Sequence, residues 1–276
     1  MKKKSVISLI SYDAAYLPES VSKYYNYVDE IILGLDKNRT TWSGNSFSFD
    51  EKQLWADLSA IDGDSKISII EEDFVKSKVA IENDNYERNF LKSQCTNEWI
   101  FSIDADEYLI NAKDFFYNYC PLVERYYNKV DICMTWATPY KTIDDTTLVI
   151  ANEDGTPFFG ENQGMATSND STFTYARWTD KSAAGVNRIM SPLVAIHWSL
   201  CRDRDALHEK INNIGHSDLV ENDPFYQIWD QVTIDNYHEL HNFKSSGLGE
   251  AQWPILRAVD NNAVTNYIEQ HLDRAY

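Results

Sequence analysis

The chain has 276 residues, 43% of them hydrophobic and 13% aromatic, which suffices for one large α/β domain or two small ones. Its 25 basic and 43 acidic residues give a net charge of −18 at pH 7. This charge opposes non-specific binding to nucleic acid or anionic lipid, and an anionic substrate would need a metal or a few local cations to hold it.

The amino-terminal residues superficially resemble a secretion signal, because Met1-Lys-Lys-Lys4 is followed by apolar residues. The apolar run extends only from Val6 to Ile10, which is shorter than a signal peptide needs, and no segment approaches membrane-spanning length. The cysteines at positions 95, 120, 133 and 201 have no CxxC spacing, so they predict neither a zinc site nor a disulfide framework. We therefore expect a soluble, cytoplasmic protein with reduced thiols.

Strand and helix patterns alternate in the first half of the chain. Strands are predicted at 5–10, 29–35, 66–70, 99–103 and 131–136, and helices at 17–27, 48–58, 83–94 and 111–127. The helix at 48–58 is expected to begin with a capping box from Ser48 to Glu51. The strand–helix–strand opening predicts parallel pairing with right-handed crossovers. The short connections predict a three-layer α/β sandwich around a mostly parallel, Rossmann-like central sheet.

The pattern changes after residue 137. Residues 138–180 are rich in turn signals, with short extended pieces at 148–151 and 172–178, and long irregular segments of this kind are usually functional or mobile. A buried strand is predicted at 191–197, and helices follow at 207–214, 223–240 and 262–272.

Three carboxylates, Asp104, Asp106 and Glu107, follow the apolar run Trp99–Ile103. The run is typical of a buried parallel strand, and Asp104 lies where open α/β sheets bind their ligands. Alternate residues of an extended chain lie on the same side, so Asp104 and Asp106 are expected to point together. Because neighbouring carboxylates repel one another, we expect a hard divalent cation between them. A solvated acidic turn that caps the next helix is the alternative, and Glu107 is as well suited to that turn as to a metal.

The chain resembles the metal-dependent glycosyltransferases of the A-type fold, especially their family-2-like bacterial and viral members, in the segment Arg88-Asn-Phe-Leu-Lys-Ser-Gln-Cys-Thr-Asn-Glu-Trp-Ile-Phe-Ser-Ile-Asp-Ala-Asp-Glu107. Those enzymes carry an Asp-x-Asp motif at the end of the fourth strand, often after a helix of the form Arg-Asn-x-x-Leu. The resemblance covers residues 5–110 well and 172–216 loosely. It implies transfer of a sugar, of the hexosyl type, from a nucleotide-diphosphate sugar to a saccharide or glycoconjugate hydroxyl, with a UDP-sugar as the first choice of donor.

The same resemblance implies a metal site for Mn²⁺ (or Mg²⁺). Asp106 is expected to bind the metal directly, and Asp104 to contact it through water or to hold the ribose. His197, at the end of the strand predicted at 191–197, matches the position of a third ligand. A histidine hydrogen-bonded in the core is the alternative, and His216 is the rival ligand. The metal would bridge the diphosphate and stabilise the charge that develops as the bond to phosphate oxygen breaks.

Several residues are assigned to the donor by their position after a strand or within the motif. They are Tyr12, Asp13, Asp36, Arg39, Arg88 and Asn89. Asp36 is expected to bind uracil or ribose, and the residues after the first strand to flank the base. The arginines are expected to face the diphosphate as charge-assisted donors. The alternatives are turn chemistry for the acids and surface ion pairs for the arginines.

The catalytic base is the least defined part of the predicted site. An inverting transferase needs a carboxylate that accepts the proton of the acceptor hydroxyl. Glu161 and Asp170 in the turn-rich stretch are the candidates, with Asp203 behind them. No Glu-Asp pair stands at the place expected from the resemblance, so an inverting or a retaining outcome stays open.

We expect a single glycosyltransferase domain over 1–276, with a nucleotide-sugar-binding half at 1–110, an acceptor-side half at 111–222 and a C-terminal helical extension at 223–276. Two other functions stay open: a sugar nucleotidyltransferase, and a non-catalytic carbohydrate-binding protein with the same fold. A nucleotidyltransferase normally has a glycine-rich, basic loop after the first strand, and this chain has Ser11-Tyr-Asp-Ala-Ala-Tyr16 there. The sequence has no P-loop, dinucleotide-binding or nucleophile-elbow motif. Its basic residues do not cluster with aromatics as in a nucleic-acid platform. The oligomeric state stays open.

Overall fold

The computed structural model describes residues 2–127, 130–180, 188–215, 225–244 and 252–275. The strands are β1 (Lys4–Ile10), β2 (Glu30–Asp36), β3 (Ile67–Glu72), β4 (Trp99–Ser102), β5 (Glu107–Leu109), β6 (Asp131–Ala137), β7 (Pro139–Ile143), β8 (Thr146–Ala151), β9 (Glu161–Ser168), β10 (Phe173–Tyr175), β11 (Trp178–Thr179), β12 (Arg188–His197), β13 (His241–Lys244) and β14 (Gln252–Asp260). The α-helices are α1 (Leu17–Tyr24), α2 (Glu51–Ile61), α3 (Ala80–Gln94), α4 (Ala112–Asp114), α5 (Cys120–Tyr126), α6 (Arg204–Asn213), α7 (Phe225–Gln231) and α8 (Val264–Glu269).

The central sheet has eight strands in the order β3-β2-β1-β4-β9-β6-β12-β5. The first four strands in this order pair in parallel, as do β6 and β12, whereas β9 and β5 run antiparallel to their neighbours. The predicted α/β class with a mostly parallel sheet is therefore confirmed. The parallel strands share one direction, so the carboxyl ends of β1, β2, β4, β6 and β12 meet at one edge.

Both faces of the sheet are covered by helices. Every residue of β1 is buried. Its side chains alternate: Val6 and Ile10 belong to the apolar cluster that includes α1 and α2, whereas Ile7 and Leu9 pack with Leu91 of α3. This alternation is the period of two expected for a strand between two helical layers. The predicted three-layer sandwich is thus the observed one.

Two helices of the first half differ in detail from the prediction. The helix predicted at 48–58 begins later, because Asp50 rather than Ser48 is its N-cap and accepts a hydrogen bond of 2.9 Å from the backbone N–H of Gln53. The helix predicted at 111–127 is interrupted by a π-helical turn at Phe115–Tyr119, between α4 and α5.

The prediction of a mostly irregular stretch at 138–180 is wrong. The stretch contains β7, β8 and β9 and the short hairpin of β10 and β11. Asp144 and Asp145 form a two-residue turn between β7 and β8, with Asp144 at a φ of 51°. Turn residues of this type join hairpin strands, so the signals taken for a loop mark the connections of a sheet.

The C-terminal part is not entirely helical, which corrects the predicted helical extension. β13 and β14 join β8 and β7 in a four-stranded antiparallel sheet in the order β13-β14-β8-β7. The helix predicted at 223–240 is observed as α7 and a 3₁₀ turn at Tyr237–Glu239, and residues 223–224 lie outside the described part. The helix predicted at 262–272 is α8 with a 3₁₀ turn on each side.

No helix in the described part of the chain is long and apolar enough to cross a membrane. The segment that superficially resembles a secretion signal forms β1. All four cysteines are buried and free, and burial raises the pKa of the Cys95 and Cys120 thiols to about 12.

Candidate functional site

A cleft of about 580 Å³ opens at the edge of the sheet where the carboxyl ends of the parallel strands meet. Its volume lies in the range of small-molecule sites, roughly 300–1,000 Å³. Segments that follow β1, β2, β4 and β12 line it, together with α3 and α6. The structure brings together in this cleft the predicted site residues Tyr12, Asp13, Asp36, Arg88, Asp104, Asp106 and His197.

Asp104 follows β4 and has a side chain that is 29% exposed. Its Oδ1 lies 3.0 Å from Nη1 of Arg88, and its Oδ2 lies 4.0 Å from Nη2 of Arg177. Nη1 of Arg88 also donates a hydrogen bond to Oγ of Ser102 at 2.6 Å. Burial raises the pKa of Asp104, but the two arginines outweigh burial and lower it to about 2. The carboxylate is therefore charged at neutral pH.

Asp106 is almost completely buried, with a side chain that is 1% exposed. Its Oδ2 accepts hydrogen bonds from Nη2 of Arg202 at 2.7 Å and from Nζ of Lys210 at 2.8 Å. Oδ2 of Asp13 lies 3.3 Å from the same guanidinium nitrogen and 3.7 Å from the same ammonium. Burial opposes ionisation of Asp106, but the nearby cations outweigh it and hold the pKa well below its usual range. Two carboxylates thus share two cations.

His197 ends β12 and stacks on the ring of Trp136, with ring centroids 3.8 Å apart. Its Nε2 lies 3.8 Å from Oδ1 of Asp106. Burial lowers the pKa of His197 to about 3, so the imidazole is neutral at pH 7.

Glu107 is fully buried and faces Arg177, whose Nη1 and Nη2 donate hydrogen bonds of 2.7 Å to its two carboxylate oxygens. Trp136 donates through Nε1 at 2.7 Å, and the backbone N–H of Asp104 donates at 3.0 Å. Glu107 therefore orders the turn that carries both aspartates.

The residues present do not fit the predicted metal. Oδ2 of Asp106 is paired with Lys210 and Arg202, and Asp104 is paired with Arg88. Within the described ranges no three His, Cys, Asp or Glu side chains converge in a way that would hold a metal ion, and a hard divalent cation needs several oxygen ligands. The assignment of Mn²⁺ (or Mg²⁺) to Asp104, Asp106 and His197 stays a prediction. The rival ligand His216 lies outside the described residues.

Asp36 orders the loop after β2. Its carboxylate accepts hydrogen bonds from the backbone N–H groups of Asn38 at 2.9 Å, Thr40 at 3.1 Å and Phe74 at 2.8 Å. This is the turn chemistry expected of an aspartate. The loop in turn brings Trp42 to the cleft wall.

Two of the residues assigned to the donor, Arg39 and Asn89, are not among the residues that line the cleft. Arg39 pairs with Glu51 at 2.9 Å and Glu71 at 3.3 Å, which is the surface ion pair that the sequence left open. The side chain of Asn89 bonds to the backbone of Phe173, and so fastens β10 to α3.

Asp170 lies at the opposite end of β4 from the carboxylates. It accepts a hydrogen bond of 2.6 Å from Oγ of Ser168, and the backbone of Ser168 pairs with Trp99, the first residue of β4.

Of the other two candidate bases, the structure describes only the backbone of Glu161, whose side chain lies outside the described part, and Asp203 has a capping role. The backbone of Glu161 pairs with Trp136, and the residues that follow it, Asn162 and Gln163, line the cleft. Asp203 caps α6 by accepting a hydrogen bond of 2.8 Å from the backbone N–H of Ala206.

Three cations that pair with the acidic cluster were not predicted from the sequence: Arg177, Arg202 and Lys210. Arg177 falls in the stretch that was taken for a loop, and the other two follow β12 without a motif. The one signal that points to them is the net charge of −18, because an anionic ligand on such a chain needs local cations.

No family model and no curated protein matches this sequence. Among solved structures, a fragment of S. aureus TarS, residues 1–349, is similar over 85% of this chain and 76% of its own length, with 11% identity and a TM-score of 0.41. UDP-glucose pyrophosphorylase complexed with UDP-glucose is similar over 76% of this chain and 97% of its own, with 12% identity and a TM-score of 0.39. In a longer S. aureus TarS structure the match spans 22% of that chain and 49% of this one, with 13% identity and a TM-score of 0.35. Identities and TM-scores this low assign no function to the chain.

Proposed function

We propose that this chain is a glycosyltransferase that moves a sugar from a nucleotide-diphosphate sugar, with a UDP-sugar as the first choice, to a hydroxyl of a saccharide or glycoconjugate. The observation that carries the proposal is the concentration of Arg88, Arg177 and Lys210 in one cleft of a chain with a net charge of −18. The cleft lies at the carboxyl edge of the sheet, where open α/β folds bind their ligands. These three side chains, beside the carboxylates that line the same cleft, are the cationic donors available to an anionic ligand such as a diphosphate.

Aromatic side chains support the sugar and nucleoside part of the proposal. Trp42, Tyr175 and Trp178 line the same cleft. Tyr175 is 42% exposed, so part of its ring is open to a ligand. Aromatic rings combine a large apolar face with a polar edge, which suits the faces of sugar rings and bases.

The proposed reaction is a displacement at the anomeric carbon of the donor. The acceptor oxygen forms a bond to that carbon while the bond from carbon to phosphate oxygen breaks, and the electron pair leaves with the nucleoside diphosphate. Lys210 and Arg88 are the proposed cationic donors that stabilise the charge developing on the leaving group. The acceptor proton passes to a base, for which we propose Glu161, because its strand neighbours line the cleft and Asp170 lies at the far end of β4.

The test is a panel of nucleotide sugars, each incubated with the purified protein and a set of saccharide acceptors, with and without Mn²⁺. We expect release of a nucleoside diphosphate and a glycosylated acceptor from at least one donor. Asp104→Asn is expected to lower that rate by roughly 10²-fold, the usual effect of losing one charged group at a transferring centre. Asp170→Asn removes a carboxylate at the opposite end of β4 and is the matched control.

The alternatives give different products. Release of pyrophosphate from a nucleoside triphosphate and a sugar phosphate would establish the nucleotidyltransferase instead. Binding of saccharides without any turnover of the whole panel would establish the carbohydrate-binding protein.

A further inference from the structure

Lys210 reaches the carboxylate at which the sequence places a metal. We propose that the Lys210 ammonium binds the phosphate oxygens of a nucleoside diphosphate in place of a divalent cation, so that nucleotide binding in this cleft needs no metal. This proposal rests on the proposed function and identifies Lys210 as the cation that binds the diphosphate of the donor.

Among the described residues, the contacts of Lys210 leave part of its hydrogen-bonding capacity for a ligand. Nζ donates to Oδ2 of Asp106 at 2.8 Å, and Oδ2 of Asp13 lies 3.7 Å away, beyond hydrogen-bond distance. An ammonium has three N–H donors, and the side chain lines the cleft while remaining 12% exposed. Phosphate oxygens in the cleft can therefore bond to Lys210 while Asp106 keeps it in place.

Arg202 completes a balanced group of charges. It is 2% exposed, donates to Oδ2 of Asp106 at 2.7 Å, and its guanidinium lies 4.6 Å from the ring centroid of Tyr16. Asp13 and Asp106 carry two negative charges, and Arg202 and Lys210 carry two positive ones. A divalent cation bound at Asp106 would add two positive charges beside Arg202 and Lys210, which lie 2.7 Å and 2.8 Å from its carboxylate oxygen. Positive charges so close together repel one another, so a metal would have to displace Lys210.

The position of Lys210 is held by the fold and not by a mobile loop. Lys210 lies in the last turn of α6, whose first turn is capped by Asp203. Leu207 and Ile211 of the same helix are buried in the apolar cluster that contains Trp229 and Trp253. A cation fixed in this way needs little reorganisation when charge develops on a leaving group.

Arg88 and Arg177 are two further cations beside the Asp104 carboxylate. Both line the cleft. Together with Lys210 they are the cationic side chains to which a diphosphate in the cleft would form charge-assisted hydrogen bonds.

The experiment is titration calorimetry of the wild-type chain with UDP, and then with GDP and CDP, in EDTA and in Mn²⁺. We expect the best of these nucleotides to bind with dissociation constants that agree within about threefold in the two buffers. Lys210→Met is expected to weaken binding in EDTA by at least about tenfold, the loss typical of one charge-assisted hydrogen bond. Lys210→Arg, which keeps the charge, is expected to lose less. Lys52→Met removes an exposed lysine of α2 outside the cleft lining and is the matched control.

The outcomes separate the inference from the proposed function. Binding that requires Mn²⁺ in the wild-type chain would overturn the inference and leave the glycosyltransferase proposal standing. Metal-independent binding that Lys210→Met does not weaken would overturn the role of Lys210. Absence of binding for every nucleotide in both buffers would overturn the proposed function, and the inference with it. The comparison of buffers uses the wild-type chain and so does not depend on how the variants fold.

Discussion

Arg177 holds Glu107 with two hydrogen bonds of 2.7 Å, across 70 residues of sequence and with both side chains buried. The guanidinium meets both carboxylate oxygens, the bidentate geometry that makes arginine–carboxylate pairs strong. The carboxylate also accepts the backbone N–H of Asp104. The pair therefore connects the turn between β10 and β11 to the turn that carries the acidic cluster.

Loss of Arg177 is predicted to destabilise the fold, because Glu107 would keep a buried charge without its cation. Arg177→Leu is expected to lower the free energy of unfolding by ~3–5 kcal/mol, measured by urea denaturation. Arg204→Leu is the control, since Arg204 is 65% exposed in its pair with Asp230 and an exposed pair contributes about 1 kcal/mol or less. Equal losses of unfolding free energy in the two variants would show that the buried pair of Arg177 and Glu107 contributes no more than an exposed pair.

The two aspartates of the cluster are predicted to differ in their effect on stability. From the sequence, Asp106→Ala is expected to abolish sugar transfer and leave the fold intact. The structure adds a loss of stability of ~3 kcal/mol, because Arg202 would keep a buried charge and lose a 2.7 Å partner.

Asp104→Ala is the comparison for this prediction, because its side chain is 29% exposed and water can replace the carboxylate. Urea denaturation of both variants beside their donor turnover checks the difference. An Asp106→Ala variant as stable as Asp104→Ala would show that the Asp106 pairs contribute little.

The stability of the protein is predicted to fall as pH rises from about 4.3 to about 8, because of Glu87. Burial raises the pKa of Glu87 to about 8, with Asp84 and Asp36 adding to the effect and the Trp42 hydrogen bond and Arg88 opposing it. In the unfolded chain the pKa is about 4.3. The folded state thus binds the proton more tightly. The stabilisation is complete below the unfolded pKa and is lost as pH rises through the folded pKa.

Glu87→Gln keeps the shape of the protonated side chain and removes the titration. The free energy of unfolding of the wild type relative to this variant is expected to decrease by a few kcal/mol between pH 5 and pH 9, since a tenfold change in proton affinity corresponds to ~1.4 kcal/mol. If the free energies of unfolding of the two proteins changed equally with pH, Glu87 would not be protonated in the folded state.

The assignment of the base to Glu161 predicts a separation of turnover from binding. Glu161→Gln is expected to lower kcat by roughly 10²–10⁴-fold, the usual contribution of a general base, with little change in the dissociation constant of the nucleotide. Rates from product release and affinities from calorimetry check this together. The carboxylate of Asp170 lies near the amino end of β4, so Asp170→Asn is expected to leave both quantities unchanged. A wild-type kcat in Glu161→Gln would show that Glu161 is not the catalytic base.

The first half of the fold was predictable because its signals are local. The apolar run before Asp104, the helix that contains Arg88 and the buried first strand each follow from spacing within a few residues. Parallel pairing then places Tyr12, Asp36 and Asp104 at one edge without further information. The second sheet was missed because β8 and β14 lie about a hundred residues apart and pair through the backbone, which leaves no pattern in either segment alone.

Whether a predicted residue belongs to the site depended on which groups its side chain contacts in the folded chain. Arg39 and Arg88 both stood near the expected diphosphate in the sequence. The structure directs Arg39 to Glu51 and Glu71 at the surface, and Arg88 to Asp84 and Asp104 in the cleft.

The sequence by itself determined the order of strands and helices in the first half of the chain and the position of Asp104 and Asp106 after a buried strand, because these depend on local periodicity. Only the tertiary structure decided what neutralises the acidic cluster. Arg202 and Lys210 approach Asp106 from 96 and 104 residues away. Charge pairing over such separations depends on how β12 and α6 pack against the sheet, and no pattern along the chain records it.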